Sequence, residues 1–321
     1  MSEQTDELLA SLDEQLTYTD KEGVVLKIAL FATVYVEDTY TPEVRDAIVA
    51  CCEDYTRLCG DHLRWAFHPD TRLMERFGEG KASSPRAWLT ELPDDDSFFL
   101  RFHSGKWDRG AAPFSMTAMG HPRRTFKELG YVRFSFPLTW LTQQPSALPD
   151  LLLKVCQRLK PVSGYGGIGI NECVDNNIRH RYFPIVYEVA QRFPGLEPDY
   201  PHFHSIYLVK GEGGIKSVNW LTVLGDRLLA RLGGVDSVEV ALAALDPRFI
   251  TRRFDGGVMI QAGPHPELGA ADQDDWPVLY VKLAKYLKPL RVPVNALQHR
   301  VSGQHFDLPN TEAWLRRFDD R

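Results

Sequence analysis

The residues with the most direct chemical potential are His202 and His204, in the stretch "DYPHFHS". On an extended segment, residues two apart point the same way, so the two imidazoles could chelate a metal ion. Glu172 could complete a pocket with them, and Asp199 is close in sequence, which would make the chain a metal-dependent enzyme. Pro198 and Pro201 flank Asp199, however, and read as a turn leading into a strand. "GYGGIG" (Gly164, Gly166, Gly169) matches the dinucleotide fingerprint GxGxxG. The fingerprint binds pyrophosphate only where a helix begins inside it and supplies free amides. Here "IGINECV" continues as strand, so the glycines predict close backbone packing instead.

Nucleophilic catalysis finds little support. There is no GxSxG elbow and no cysteine in a familiar Cys-His signature. The five cysteines (51, 52, 59, 156 and 173) are odd in number and lack CxxC spacing, which predicts reduced structural thiols. Asp94, Asp95 and Asp96, and Asp272, Asp274 and Asp275, form acidic runs in polar loops. General acid or base work wants a carboxylate raised by burial, and a solvated run is the opposite environment. Val218–Gly234, "VNWLTVLGDRLLARLGG", holds a Trp, a Thr, an Asp and an Arg like a pocket lining. Alternation through Val223, a turn at Gly225, Asp226 at a helix start and an exit at Gly233 account for it as scaffold.

The elements that must position these residues can be traced along the chain. Leu8, Leu9, Leu12 and Leu16 fall at helical spacing in an acidic leader, residues 1–22. "VVLKIALFATVYVE" (Val24–Glu37) reads as a long buried strand, and Thr41 with Pro42 marks the start of a helix. Residues 68–97 look irregular. "SFFLRFHSG", "APFSMTAMG" and "GYVRFSFPL" suggest an antiparallel meander, followed by a helix at Pro149–Leu159 and a strand in "SGYGGIGIN". The second half predicts a helix over Asn177–Arg192, two strands in "HSIYLVKGEGGIKSVNWLTVL" across a turn at Glu212–Gly214, a helix in "DRLLARL", a strand in "GGVMIQAG" and a closing helix. The expected fold class is α+β: mostly antiparallel sheets flanked by helices, in two packed lobes, 23–175 and 176–321, of one compact domain. The second lobe carries the closing helix and a C-terminal tail.

Composition excludes several function classes. At 321 residues and 44% hydrophobic, the chain can bury a sizeable core. No run of about 18 apolar residues exists, and "MSEQTDELLA" lacks the pattern of a secretion signal, so a cytoplasmic protein without membrane contact is expected. The net charge of −6 resides in the leader, where seven acids face Lys21 alone. The remaining sequence is balanced and has no excess positive charge with which to neutralise phosphates, which argues against nucleic acid as a direct ligand.

Three stretches carry a family resemblance: "VNWLTVLGDRLLARLGG", "RFPGLEP" (Arg192–Pro198) and "GGVMIQAGPHPELG" (Gly256–Gly269). In the same order, over about Val24 to Leu290, the chain resembles the bacterial type VI secretion immunity proteins that accompany VRR-Nuc nuclease effectors. It departs from the pattern at Ala270, where an Asp commonly follows the Leu-Gly; Asp272 stands two residues on. The resemblance implies a cytoplasmic, non-enzymatic inhibitor, without cofactor or metal, that binds a cognate DNA-cleaving toxin; it fixes the inhibitor's role more firmly than the toxin's reaction, so an immunity protein for a toxin of different chemistry is the alternative. An inhibitor of a basic nuclease cleft gains association rate from acids, so the expected partner-binding residues are Asp94, Asp95, Asp96, Glu267, Asp272, Asp274 and Asp275.

Overall fold

A computed structural model of the chain describes residues 3–125, 128–207, 214–292 and 305–321. Its strands are β1 (Tyr18–Asp20), β2 (Gly23–Val36), β3 (Trp65–Phe67), β4 (Met74–Arg76), β5 (Phe98–His103), β6 (Ser115–Gly120), β7 (Gly130–Phe136), β8 (Ser163–Glu172), β9 (Leu221–Gly225), β10 (Phe249–Phe254) and β11 (Gly257–Ala262). They form one sheet in the order β10-β11-β9-β8-β2-β7-β6-β5-β3-β4, with β1 beside β2. All these pairings are antiparallel. The α+β class with a large antiparallel sheet is therefore what the chain adopts. The β8–β9 pairing carries the sheet through both halves of the sequence.

The helices that follow are α1 (Glu3–Gln15), α2 (Pro42–Cys59), α3 (Arg86–Leu89), α4 (Trp140–Gln143), α5 (Ala147–Leu159), α6 (Asn176–Arg179), α7 (Phe183–Arg192), α8 (Pro201–Tyr207), α9 (Asp226–Ala230), α10 (Val235–Leu245), α11 (Val278–Leu287) and α12 (Leu308–Leu315). β2 lies between β7 and β8, covered on both faces, which is why its sequence is almost uniformly apolar. Because side chains alternate, Leu30, Ala32 and Val34 enter the main core, where α5 packs on β2 and on α2. Phe31, Thr33 and Tyr35 point to the other face.

The start of α2 follows its sequence signature, with the Thr41 hydroxyl accepting from Val44 N at 3.4 Å and Pro42 opening the helix. Thr41→Ala is expected to lower stability by about 1 kcal/mol in urea unfolding, because one orphan N–H loses its partner. An unchanged midpoint would show that Thr39 and the neighbouring turn hold the helix start without it.

Four segments differ from the sequence reading. The two-strand hairpin expected over 204–224 is not formed: 201–207 is helix α8, and β9 begins only at Leu221. Glu212 and Gly213 of the expected turn lie outside the described residues. Ahead of β9, Asn219 Oδ1 accepts from Trp220 N at 2.8 Å, so side-chain bonds occupy backbone groups that a longer strand would have paired. Two short strands, β3 and β4, edge the region read as irregular, and α10 and β10 occupy 235–254, which had no assignment. The expected 177–192 helix is broken into α6 and α7 by a 3-10 turn at His180–Tyr182.

In β8 the glycines are packing positions. A Cβ on Gly166 would sit 2.8 Å from the Phe31 carbonyl oxygen, and one on Gly169 would sit 2.6 Å from the Phe31 ring. "GYGGIG" thus lets β8 lie against β2 and holds no nucleotide-binding turn.

Candidate functional site

Strand register assembles a polar row across the face opposite the main core. Arg101 of β5 lies beside Thr117 of β6, Thr117 beside Arg133 of β7, Arg133 beside Thr33 of β2, and Thr33 beside Tyr165 of β8. Period-two alternation sends Phe98, Leu100 and Phe102 into the core and leaves Arg101 and His103 on this face. The same parity places Ser115 and Thr117 on β6, and Tyr131, Arg133 and Ser135 on β7.

The row is closed by Asp199, just ahead of α8. Its carboxylate accepts from Thr33 Oγ1 at 2.7 Å, Arg133 Nε at 2.9 Å and the Tyr165 hydroxyl at 2.5 Å. Lys216 Nζ lies 3.7 Å from Asp199 and 2.6 Å from Glu197, and Arg317 lies 3.7 Å from Glu197. Burial pushes the Asp199 carboxyl up, but Lys216, Arg133 and the two hydroxyl donors outweigh it and hold it below the usual carboxylate range. Asn171 accepts from Arg133 at 2.6 Å and donates to the Ala112 carbonyl and to Ser135.

Beside this network lies a cavity of about 380 Å³ whose lining includes Arg101, Tyr131, Arg133, Glu172, Arg179 and His202. It shares Arg101, Tyr131, Arg179 and His202 with a wider surface groove of about 780 Å³, where Phe67, Leu73 and Phe99 supply an apolar wall. Burial raises Glu172 to about 7, against the nearby Arg179 and a hydrogen bond from the Tyr200 hydroxyl at 2.9 Å. Burial lowers His103 to about 4, so it is neutral. Its Nδ1 accepts from Gly105 N, which leaves Nε2 to donate to the Asp108 carbonyl. Burial lifts the Cys173 thiol to about 11, with Glu172 adding to the shift, so no thiolate forms at neutral pH. The arrangement offers guanidinium and hydroxyl donors around one carboxyl whose charge changes near neutrality.

The residues singled out from sequence are dispersed. His202 and His204 sit on α8, where two positions along a helix turn side chains to different sides. His202 lines the cavity; His204 is fully buried against Tyr35, ring centroids 4.8 Å apart, with neither ring nitrogen hydrogen-bonded to a described residue. The pocket of His202, His204 and Glu172 is therefore not assembled. Among the described residues no three His, Cys, Asp or Glu side chains are grouped to hold a metal ion. The five cysteines are all buried and unbridged.

Asp94, Asp95 and Asp96 lie exposed between α3 and β5. Their loop is anchored through its main chain: Arg45 donates to the Pro93 and Asp96 carbonyls at 2.9 and 3.2 Å, and Arg123 N donates to the Asp94 carbonyl. Glu267, Asp272, Asp274 and Asp275 are exposed after β11, with Asp274 accepting from Trp276 Nε1 at 3.0 Å. Five strands separate β11 from β5 in the sheet, so at ~4.8 Å per step the strands they adjoin are on the order of 30 Å apart. The two acidic groups are not one patch. The residues sequence reading missed are Arg101, Tyr131, Arg133 and Arg179. Polar side chains at one parity of "FFLRFH", "SMTAMG" and "YVRFSF" were the available signal.

The three stretches that carry the family resemblance meet in space. Trp220 Nε1 donates to the Gly263 carbonyl at 3.0 Å, Gly195 N to the Leu268 carbonyl at 2.7 Å, and Asp226 N to the Gly256 carbonyl at 2.9 Å. Among the described residues no helix is long and apolar enough to cross a membrane.

A family model described as type VI immunity for VRR-NUC matches residues 47–318. Among solved structures, the chain is similar to the Pseudomonas aeruginosa T6SS protein PA0821: 26% identity over 98% of this chain and 91% of that one, with a TM-score of 0.83. No curated protein matches.

Proposed function

The chain belongs to the type VI immunity family for VRR-NUC, and from that premise we propose that it binds a cognate VRR-Nuc effector in the cytoplasm and denies it DNA without catalysis of its own. The family match over most of the chain carries this reading. The solved structure it resembles across nearly its whole length, a T6SS protein, supports it. Inhibition by covering the effector's DNA-binding or active site fits the charge distribution. A nuclease must offer phosphates a positive cleft, and exposed carboxylates steer an inhibitor to such a cleft. Asp95, Asp96, Asp272 and Asp275 are exposed and, among the described residues, in no ion pair. With Asp94, Glu267 and Asp274 they are the proposed contact residues. The two groups are far enough apart to act separately.

The test is co-expression. The effector alone is expected to be toxic and to become tolerated, and to co-purify with this chain, when both are present; absence of a complex would refute the reading. Reversal of Asp94–Asp96 to Lys, and separately of Asp272, Asp274 and Asp275, is expected to slow association about tenfold and flatten its salt dependence. Unchanged affinity and salt dependence in both would remove the acids from the interface.

A further inference from the structure

We propose that the cavity on the polar sheet face is a binding site for a small anion bearing a carboxylate or phosphate group, held by the guanidinium groups of Arg101 and Arg179 and the hydroxyl of Tyr131. The inference is independent of how the effector is neutralised.

Three arginines line this cavity, and only one has its charge met. Arg133 is bound to Asp199 and Asn171. Arg101 makes a single long hydrogen bond, 3.4 Å to Thr117 Oγ1, and no ion pair with a described residue. Arg179 likewise has no ion pair among the described residues, and its Nε is buried without a hydrogen-bond partner there. Arg101 and Arg179 are half-buried and in no ion pair with a described residue, so each has lost part of its hydration, and an anion between them offsets that loss. Burial, and then the charges of Arg133 and Arg179, lower Arg101 to about 10, which still leaves it a cation at neutral pH.

Tyr131 is the second observation. It is 5% exposed and lines the same cavity, and its hydroxyl is not among the buried polar atoms left without a partner, so its oxygen opens to the cavity and offers a donor to whatever fills the space. The volume of about 380 Å³ falls within the range of small-molecule sites. Planar forks suit carboxylate and phosphate oxygens.

Glu172 makes the site pH-dependent. It faces Arg133 from β7, Arg179 from α6, Tyr200 ahead of α8 and the neutral Cys173 thiol. Protonated, it repels no anion and can donate to one; ionised, it competes for the same arginines. For an anion whose own charge is constant, binding is therefore stronger at pH 6 than at pH 8.

Titration calorimetry of the full chain with inorganic phosphate and with citrate is the experiment. At pH 6 at least one is expected to bind with a dissociation constant below ~1 mM, and the preferred probe identifies the headgroup. Arg101→Gln and Arg179→Gln are each expected to weaken binding roughly 10- to 100-fold. Glu172→Gln should leave only the pH dependence that the ionisation of the probe itself imposes. In anion-free buffer Arg101→Gln is expected to melt no lower than the parent, since it removes an unpaired cation. Absence of binding by both probes, binding indifferent to both arginines, or a clearly lower melting point for Arg101→Gln would each overturn the proposal.

Discussion

Asp199→Ala is expected to destabilise the protein by about 3–5 kcal/mol in urea unfolding, among the largest effects of any single substitution. The carboxylate is inaccessible and binds Thr33, Arg133 and Tyr165 directly, with Lys216 at 3.7 Å. Its removal leaves Arg133 with Asn171 alone and concentrates positive charge in a dry interior. Total stability of domains is only ~5–15 kcal/mol, so the variant should be partly unfolded at 37 °C. Asp199→Ala combined with Lys216→Met should lose less than the sum of the two, because the two charges lie 3.7 Å apart in one buried network and removing both restores its charge balance. The same pair sets an acid limit. The folded-state carboxyl of Asp199 lies below its unfolded value, so its contribution is present above the ordinary carboxylate pKa of ~4 and is lost as pH falls through the lower folded value. Asp199→Ala should therefore lose much of the parent's stability difference between neutral pH and pH 3; an equal acid slope in both proteins would show that other carboxylates set the limit.

Trp220→Ala is the second large effect, about 3–5 kcal/mol. The indole is 1% exposed, and it ties the entrance of β9 to the end of β11 through the Gly263 carbonyl, while its own carbonyl accepts from Ala262 N at 2.7 Å. Truncation opens a cavity and removes one of the Gly263 carbonyl's two donors, the other being Gln261. Trp220→Phe, which keeps most of the volume, should cost about half as much or less. A small loss in Trp220→Ala would mean that the join between β9 and β11 is held by the strand ladder alone. Because the three family stretches converge here, the expected phenotype is lost folding with lost protection, and no separable loss of binding.

Much of the scaffold was legible because it obeys local rules. β2 announces itself by fourteen nearly uninterrupted apolar positions, and α2 by Thr41 and Pro42. The meander β5-β6-β7 follows from three short aromatic stretches separated by turns. What failed did so where tertiary contact overrides composition. "PHFHSIY" is rich in residues that favour strands, yet it forms α8 with His204 and Ser205 fully buried. β3 and β4, three residues each, are too short to show a period. The cavity was hidden for a different reason: its residues come from β5, β7, β8 and α6, and only strand register brings Arg101 and Arg133 to one row. The parity of each strand was readable alone; the alignment of parities was not. The family was legible in core and turn patterns, because the three stretches form one packed unit.

The place of β2 in the sheet has a consequence in time. It is complete by Val36, but its neighbours β7 and β8 are not made until residues 130 to 172. At ribosomal speeds of ~5–20 residues per second, the most apolar strand of the molecule, paired at its start with the short β1, waits on the order of ten seconds for β7 and β8. The centre of the sheet is synthesised early and flanked late, and pairing over such separations is intrinsically slow. Newly made chains are therefore vulnerable to aggregation before they are competent, and the rate at which the cell acquires working protein is governed by closure of this one strand as well as by expression.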